Sequence, residues 1–118
     1  MQYTSFNGIP NEEIMNGIQE LHQKVFRTSE DLLTKMKTKP ALLLHIAIED
    51  EKIVGYKIGY TLSSDLFYSW LGGVDPSYRN KGIASTLMKI QHQYLKEEGY
   101  KTVQTKTMNK WRNMLLLN

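Results

Sequence analysis

The sequence predicts a mixed α/β (α+β) domain whose central sheet is mostly antiparallel and carries helices on both faces. Three observations predict it. The hydrophobic period changes from helical to two-residue alternation after Pro40, and returns to helical after Gly82. The resulting order, β-α-α-β-β-β-α-β-α, is neither an alternating βαβ repeat nor a helix bundle. A loop bearing a basic residue, a glycine and a small residue, Arg79-Asn80-Lys81-Gly82-Ile83-Ala84, joins a strand-like run to a helix-like one.

Residues 2–6 read as a short first strand, closed by the turn Asn7-Gly8-Ile9-Pro10. From Asn11 the pattern is helical, because Ile14, Ile18, Leu21 and Val25 fall on one face; Asn11 caps that helix and Glu12 and Glu13 suit its positive end. A second helix starts at Ser29, with Leu32, Leu33 and Met36 as its apolar side, and stops before Pro40. Leu42 to Ile48 is apolar on both faces, which predicts a central strand. Glu49–Lys52 makes a hairpin turn into a strand from Ile53 to about Leu62. There Val54, Tyr56, Ile58, Tyr60 and Leu62 share one face, and Gly55, Lys57 and Gly59 the other. Phe67–Val74 is the next strand. Its pair Gly72-Gly73 is costly inside a sheet and marks a bulge or a close approach by another backbone or a ligand. A helix follows, with Ile83, Leu87, Ile90 and Tyr94 on its apolar face and Gly99 as its left-handed cap. Residues 101–107 are Thr-rich and strand-like. Asn109 onward reads as a last helix carrying Trp111, Met114, Leu115 and Leu117.

With 118 residues and no linker, repeat or low-complexity segment, residues 1–118 form a single domain. The absence of cysteine excludes disulfides, thiolate zinc sites and a cysteine nucleophile. No pair of histidines has metal-ligand spacing, so no metal is expected. Residues 1–10 lack the basic start and apolar run of a secretory signal, and no apolar stretch approaches the ~20 residues that span a bilayer. These features predict a cytoplasmic protein with no membrane partner. A net charge of +3 suits an anionic ligand without arguing for nucleic acid.

The stretch from Arg79 to Ala84 is the strongest functional signal. Gly82 lets backbone N–H groups approach an anion unobstructed, Ala84 lets the new helix sit close with its positive end toward bound phosphates, and Arg79 and Lys81 add charge. The expected ligand is a phosphorylated carrier molecule. The alternative is an ordinary strand-to-helix turn.

Gly73-Val74-Asp75-Pro76-Ser77-Tyr78-Arg79-Asn80-Lys81-Gly82-Ile83-Ala84, in this element order and followed by Asn109…Asn113-Met114-Leu115-Leu116-Leu117-Asn118, resembles the GNAT superfamily of acyl-CoA-dependent N-acyltransferases. The family's Arg/Gln-x-x-Gly-x-Gly/Ala signature stands between the expected strand and helix, and the resemblance spans nearly the whole chain. It implies a GNAT-like fold that binds acetyl-CoA as acyl donor and passes the acetyl group to a primary amine by direct attack. Gly72, Gly73 and Val74 would offer backbone groups to the pantetheine arm. Backbone N–H groups of Asn80, Lys81, Gly82, Ile83 and Ala84 would hold the pyrophosphate, and Arg79 would fix the loop or neutralise charge. The fourth and fifth strands would splay to admit the thioester. Asn109 would bond the pantetheine or simply cap a helix.

The same resemblance leaves the catalytic residues unassigned. The position of the family's frequent tyrosine acid holds Asn118, with Tyr94, Tyr68 and Tyr78 as substitutes. The fourth strand has no acid at Tyr68, Ser69, Trp70 or Leu71, which leaves a water chain, Asp65 or His45 as the base. Two further strands of the family pattern are missing, so the fold is expected to be C-terminally truncated. Self-association through the C-terminal helix and the uncovered edge of the fifth strand would then complete it. A non-catalytic CoA-binding or interaction module is the alternative function. His22 and His92 read as surface residues, Lys35, Lys37 and Lys39 as a solvated helix face, and Trp111 as a packing residue rather than an acceptor platform.

Overall fold

A computed structural model describes residues 1–107 and 110–117. Its elements run β1 (Gln2–Asn7), α1 (Glu12–Phe26), α2 (Leu32–Met36), β2 (Leu43–Glu49), β3 (Lys52–Thr61), β4 (Leu66–Val74), a 3-10 turn (Pro76–Tyr78), α3 (Ile83–Glu97), β5 (Thr102–Thr107) and β6 (Lys110–Leu115). One six-stranded sheet takes them in chain order. Every neighbouring pair is antiparallel except β4 and β5, which α3 connects in parallel. That mixed sheet, with α1 and α2 on one face and α3 on the other, is the predicted architecture.

Local chemistry sets the element ends. Asn11 accepts from the Ile14 N–H at 2.9 Å and caps α1, with Glu12 and Glu13 in the first turn. Asp50 and Glu51 both hold positive φ, the backbone of a two-residue type I′ turn, and this fixes the β2–β3 register. Asp31 caps α2 through the Thr34 N–H, so that helix begins three residues later than Ser29.

The sheet is buried on both sides, as an apolar β2 requires. Under α1 and α2 lie Met15, Ile18, Leu21, Leu32 and Met36 against Leu44, Ile46, Tyr56 and Ile58. Under α3 lie two smaller groups, Leu43–Phe67–Leu95–Val103 and Ala47–Val54–Ile83–Leu87.

Four expectations are corrected. The segment after Asn109 is a strand, not a helix: residues 110–115 pair antiparallel with β5, Trp111 opposite Lys106 and Leu115 opposite Thr102. Trp111, Met114 and Leu115 do fall at helical spacing, but all are more than half exposed, so no helix face is buried there. Pairing instead satisfies the backbone edge of β5. Residues 110–115 therefore offer a strand rather than a helix to the expected self-association, and among the described residues the outer strand beyond β5 is β6. Asn109 and Asn118 lie outside the described residues.

His22 is buried rather than superficial, because its two ring nitrogens are met by the Tyr56 hydroxyl at 2.7 Å and by Glu30 at 3.3 Å. The irregularity in β4 falls at Trp70, where Leu71 pairs with Ile58 and Ser69 with Gly59, and not at the glycine pair. Gly73 is instead a close-packing site: a Cβ there would stand 3.1 Å from Val25 and 3.2 Å from the Tyr56 ring. Finally, Lys39 lies beyond α2 and is half-buried over aromatic rings, while Lys35 and Lys37 are exposed.

Candidate coenzyme-binding cleft

Pairing between β4 and β5 covers only Leu66–Thr102, Phe67–Val103 and Tyr68–Gln104. Beyond Tyr68 the strands leave a cleft of about 740 Å³, walled by the rest of β4, the start of α3, and Thr105 and Thr107 of β5. The two strands are unequally held at this point. β4 continues to pair with β3 as far as Val74, whereas β5 turns its other edge to β6.

Of the residues singled out in the sequence, Gly72, Gly73, Val74, Arg79, Asn80, Gly82, Ile83 and Ala84 line this one cleft. Lys81 does not; its ammonium stands 5.5 Å from the Tyr78 ring centre. Gly82 is the N-cap of α3 at φ 78°, and no side chain caps the helix. Asn80, two residues earlier, is also left-handed at φ 65°. Left-handed residues let a loop present backbone N–H groups to an oxyanion, and the uncapped helix start adds its dipole. Arg79 Nε donates to the Val74 carbonyl at 3.4 Å, tying the loop back to the end of β4.

The loop has a buried anchor. Asp75 accepts from the Ser77 N–H at 2.9 Å, from Lys24 at 3.0 Å and from Lys52 at 3.3 Å, and is 0% exposed. The Ser77 N–H first, and then the two ammonium groups, hold its carboxyl down at about 2. The anchor joins α1, the start of β3 and the entry to the Arg79–Gly82 loop.

The acid and base candidates are scattered. Tyr78 lines the cleft. Tyr94 instead accepts from Asn7 at 3.0 Å, at the opposite end of α3. Tyr68 packs edge-on to Tyr60, and Asp65 is exposed in the β3–β4 turn. His45 is buried beside β1, 2.6 Å from the Ser5 hydroxyl, and does not line the cleft. Burial first, and the nearby Lys57 charge second, push its imidazole down to about 4, so it is neutral near pH 7.

Two cleft residues carry no signature in the sequence, Lys57 and Ser69. Lys57 faces α3 from β3, opposite Gly72, and burial pushes its ammonium down. Its one sequence signal is a charge standing on the glycine-bearing face of a central strand. Among the described residues, the cleft wall includes no aspartate, glutamate or histidine, and no group of three or more His, Cys, Asp or Glu could hold a metal. No helix among them is long and apolar enough to cross a membrane.

The family model described as acetyltransferase (GNAT) family matches residues 11–113. Comparison with curated protein sequences gave no match. An aminoglycoside acetyltransferase from an uncultured soil metagenomic sample, solved with sisomicin, superposes with a TM-score of 0.73 at 21% identity, over 89% of this chain and 77% of that one. An aminoglycoside 6'-N-acetyltransferase solved with coenzyme A gives 0.76 at 16% identity, over 91% and 62%. GCN5 of Tetrahymena gives 0.76 at 8% identity, over 92% and 72%. At such identities the superpositions show a shared fold.

Proposed function

The chain belongs to the acetyltransferase (GNAT) family, and from that premise we propose that it binds acetyl-CoA in the β4–β5 cleft and passes the acetyl group to a primary amine. The observation that carries the reading is the convergence of the β4 end, the left-handed loop and the uncapped start of α3 on one cleft.

The residues fit the donor. Backbone N–H groups from Asn80 to Ala84 hold the pyrophosphate, with Arg79 bracing the loop and Lys81 adding charge from outside. Gly72, Gly73 and Val74 present a strand edge without bulky side chains to the pantetheine arm, and Asn109 is proposed as a further contact to it. Acetyl-CoA would supply an activated thioester, which a primary amine attacks directly. A backbone N–H near Val74 polarises the carbonyl. Two cleft groups can give a proton to the departing thiolate, Lys57 and Tyr78. The Tyr56 hydroxyl, also at the cleft, is engaged by His22. With no carboxylate or imidazole on the described wall, the amine's proton leaves through water.

That missing base also favours a second reading, a CoA-binding or interaction module without turnover. Thiol release from acetyl-CoA, measured against a panel of primary amines, separates the two. Amine-dependent release is expected of the enzyme. Saturable acetyl-CoA binding with no release for any amine would make the chain a binding module.

A further inference from the structure

The face of the sheet opposite α3 carries an aromatic group that the coenzyme reading does not use. Tyr60 and Trp70 meet edge-on at 5.7 Å, Tyr60 and Tyr68 edge-on at 5.4 Å, and Tyr68 continues to Trp111 at 5.5 Å. β3, β4 and β6 each contribute, so the rings gather at the point where β4–β5 pairing ends. Trp70, the irregular residue of β4, also lines the cleft and so joins it to the ring group.

A cation already sits on these rings. The Lys39 ammonium lies 5.2 Å from the Tyr60 ring centre and 5.1 Å from that of Trp70. Lys39 forms no salt bridge among the described residues, so ring faces are what hold its charge. Lys106 stands over Trp111 in the same way, at 5.0 Å. Aromatic faces carry partial negative charge and attract organic ammonium groups when water is partly excluded.

We propose that Tyr60, Tyr68, Trp70 and Trp111 recognise an ammonium group of the acceptor, and that Lys39 occupies the Tyr60–Trp70 part of their site until the acceptor displaces it. The proposal rests on the acetyltransferase reading and names the acceptor chemistry: an alkylammonium read by ring faces rather than by carboxylates. Such a site selects a slender cation with an apolar arm over a densely hydroxylated polycation. Lys39 acts as an internal competitor that covers the Tyr60 and Trp70 rings and leaves when a free ammonium arrives.

The protein's two tryptophans both belong to this group, so intrinsic fluorescence reports on it directly. We would titrate the full chain, without acetyl-CoA, with n-butylammonium chloride and with 1-butanol as the uncharged match, at constant ionic strength. The expected result is a saturable fluorescence change with butylammonium and none with butanol. Lys39→Met should reach half-saturation at a concentration about three- to tenfold lower, since the competitor is gone. Tyr60→Leu should weaken the response, and circular dichroism checks that it folds. Equal responses to the two probes, no response at all, or an unchanged curve for Lys39→Met would each overturn the proposal. Because acetyl-CoA is absent, failure of the coenzyme reading leaves this titration intact. Conversely, a flat titration alongside amine-dependent acetyl transfer would sink the ammonium site alone.

Discussion

Gly82 holds φ 78° with nothing within 4 Å of where its Cβ would stand. Backbone conformation, not protein packing, therefore calls for glycine here. Gly82→Val should cost about 1 kcal/mol or more of stability, since a β-branched residue is strained at that φ. It should also weaken coenzyme A at least about tenfold, because the branched side chain would stand where the proposed cradle holds the pyrophosphate; calorimetric titration measures this, and wild-type affinity in the variant would remove the cradle from the account. His45 supports a prediction of a different kind. Its ordinary value of 6.5 falls to about 4 in the fold, chiefly through burial. Between those values the unfolded chain takes up a proton that the folded chain refuses, so stability rises with pH across that window. Acidifying from pH 6.5 to 4 should therefore destabilise the wild type, and His45→Gln should flatten that limb in urea melts. Asp75 works at lower pH: its contribution is complete above about 3.8 and lost as pH falls through about 2.

At the scale of elements, α3 shows how a polar residue hides a core face. Its buried positions are Ile83, Leu87, Gln91 and Leu95, a regular stripe in which Gln91 is fully buried and neither amide atom has a protein partner among the described residues. Read by hydrophobicity alone, the stripe shifts to Ile90 and Tyr94, which are only half-buried. Gln91→Met, similar in shape and free of unmet polar atoms, should stabilise the domain by about 1 kcal/mol, a rise of several degrees in Tm. His22 was hidden for the same reason: its partners Tyr56 and Glu30 lie 34 and 8 residues away, beyond the reach of local pattern. Strands β1 to β5 were legible because alternation and turn chemistry are local. β6 was not. Trp111, Met114 and Leu115 have helical spacing, and only the open edge of β5, a tertiary fact, makes them a strand.

For the molecule as a whole, element order carried the fold, and the Arg79–Ala84 loop carried the candidate site. Both rest on short-range rules, a change of period and the backbone demands of a glycine. The aromatic group was not legible, since Tyr60, Tyr68, Trp70, Trp111 and Lys39 come from three strands and a loop and read separately as strand formers, a packing residue and a solvated lysine. Lys57 was equally hard to see, because its place in the cleft depends on where β4 and β5 part. The fold joins these pieces through one sheet. The left-handed loop before α3 lies at one face, the parting strands leave the cleft between them, and the aromatic group lies on the far side.

That arrangement stands or falls on the donor. The most direct measurement is thermal unfolding of the chain alone and with acetyl-CoA, coenzyme A or ATP, each at about 100 times the dissociation constant measured for acetyl-CoA or, failing measurable binding, at millimolar concentration. The account predicts stabilisation by acetyl-CoA and coenzyme A of roughly 2.7 kcal/mol, several degrees in Tm, and none by ATP. Equal shifts for all three would reduce the cleft to a general phosphate site, and no shift with any of them would contradict coenzyme binding outright.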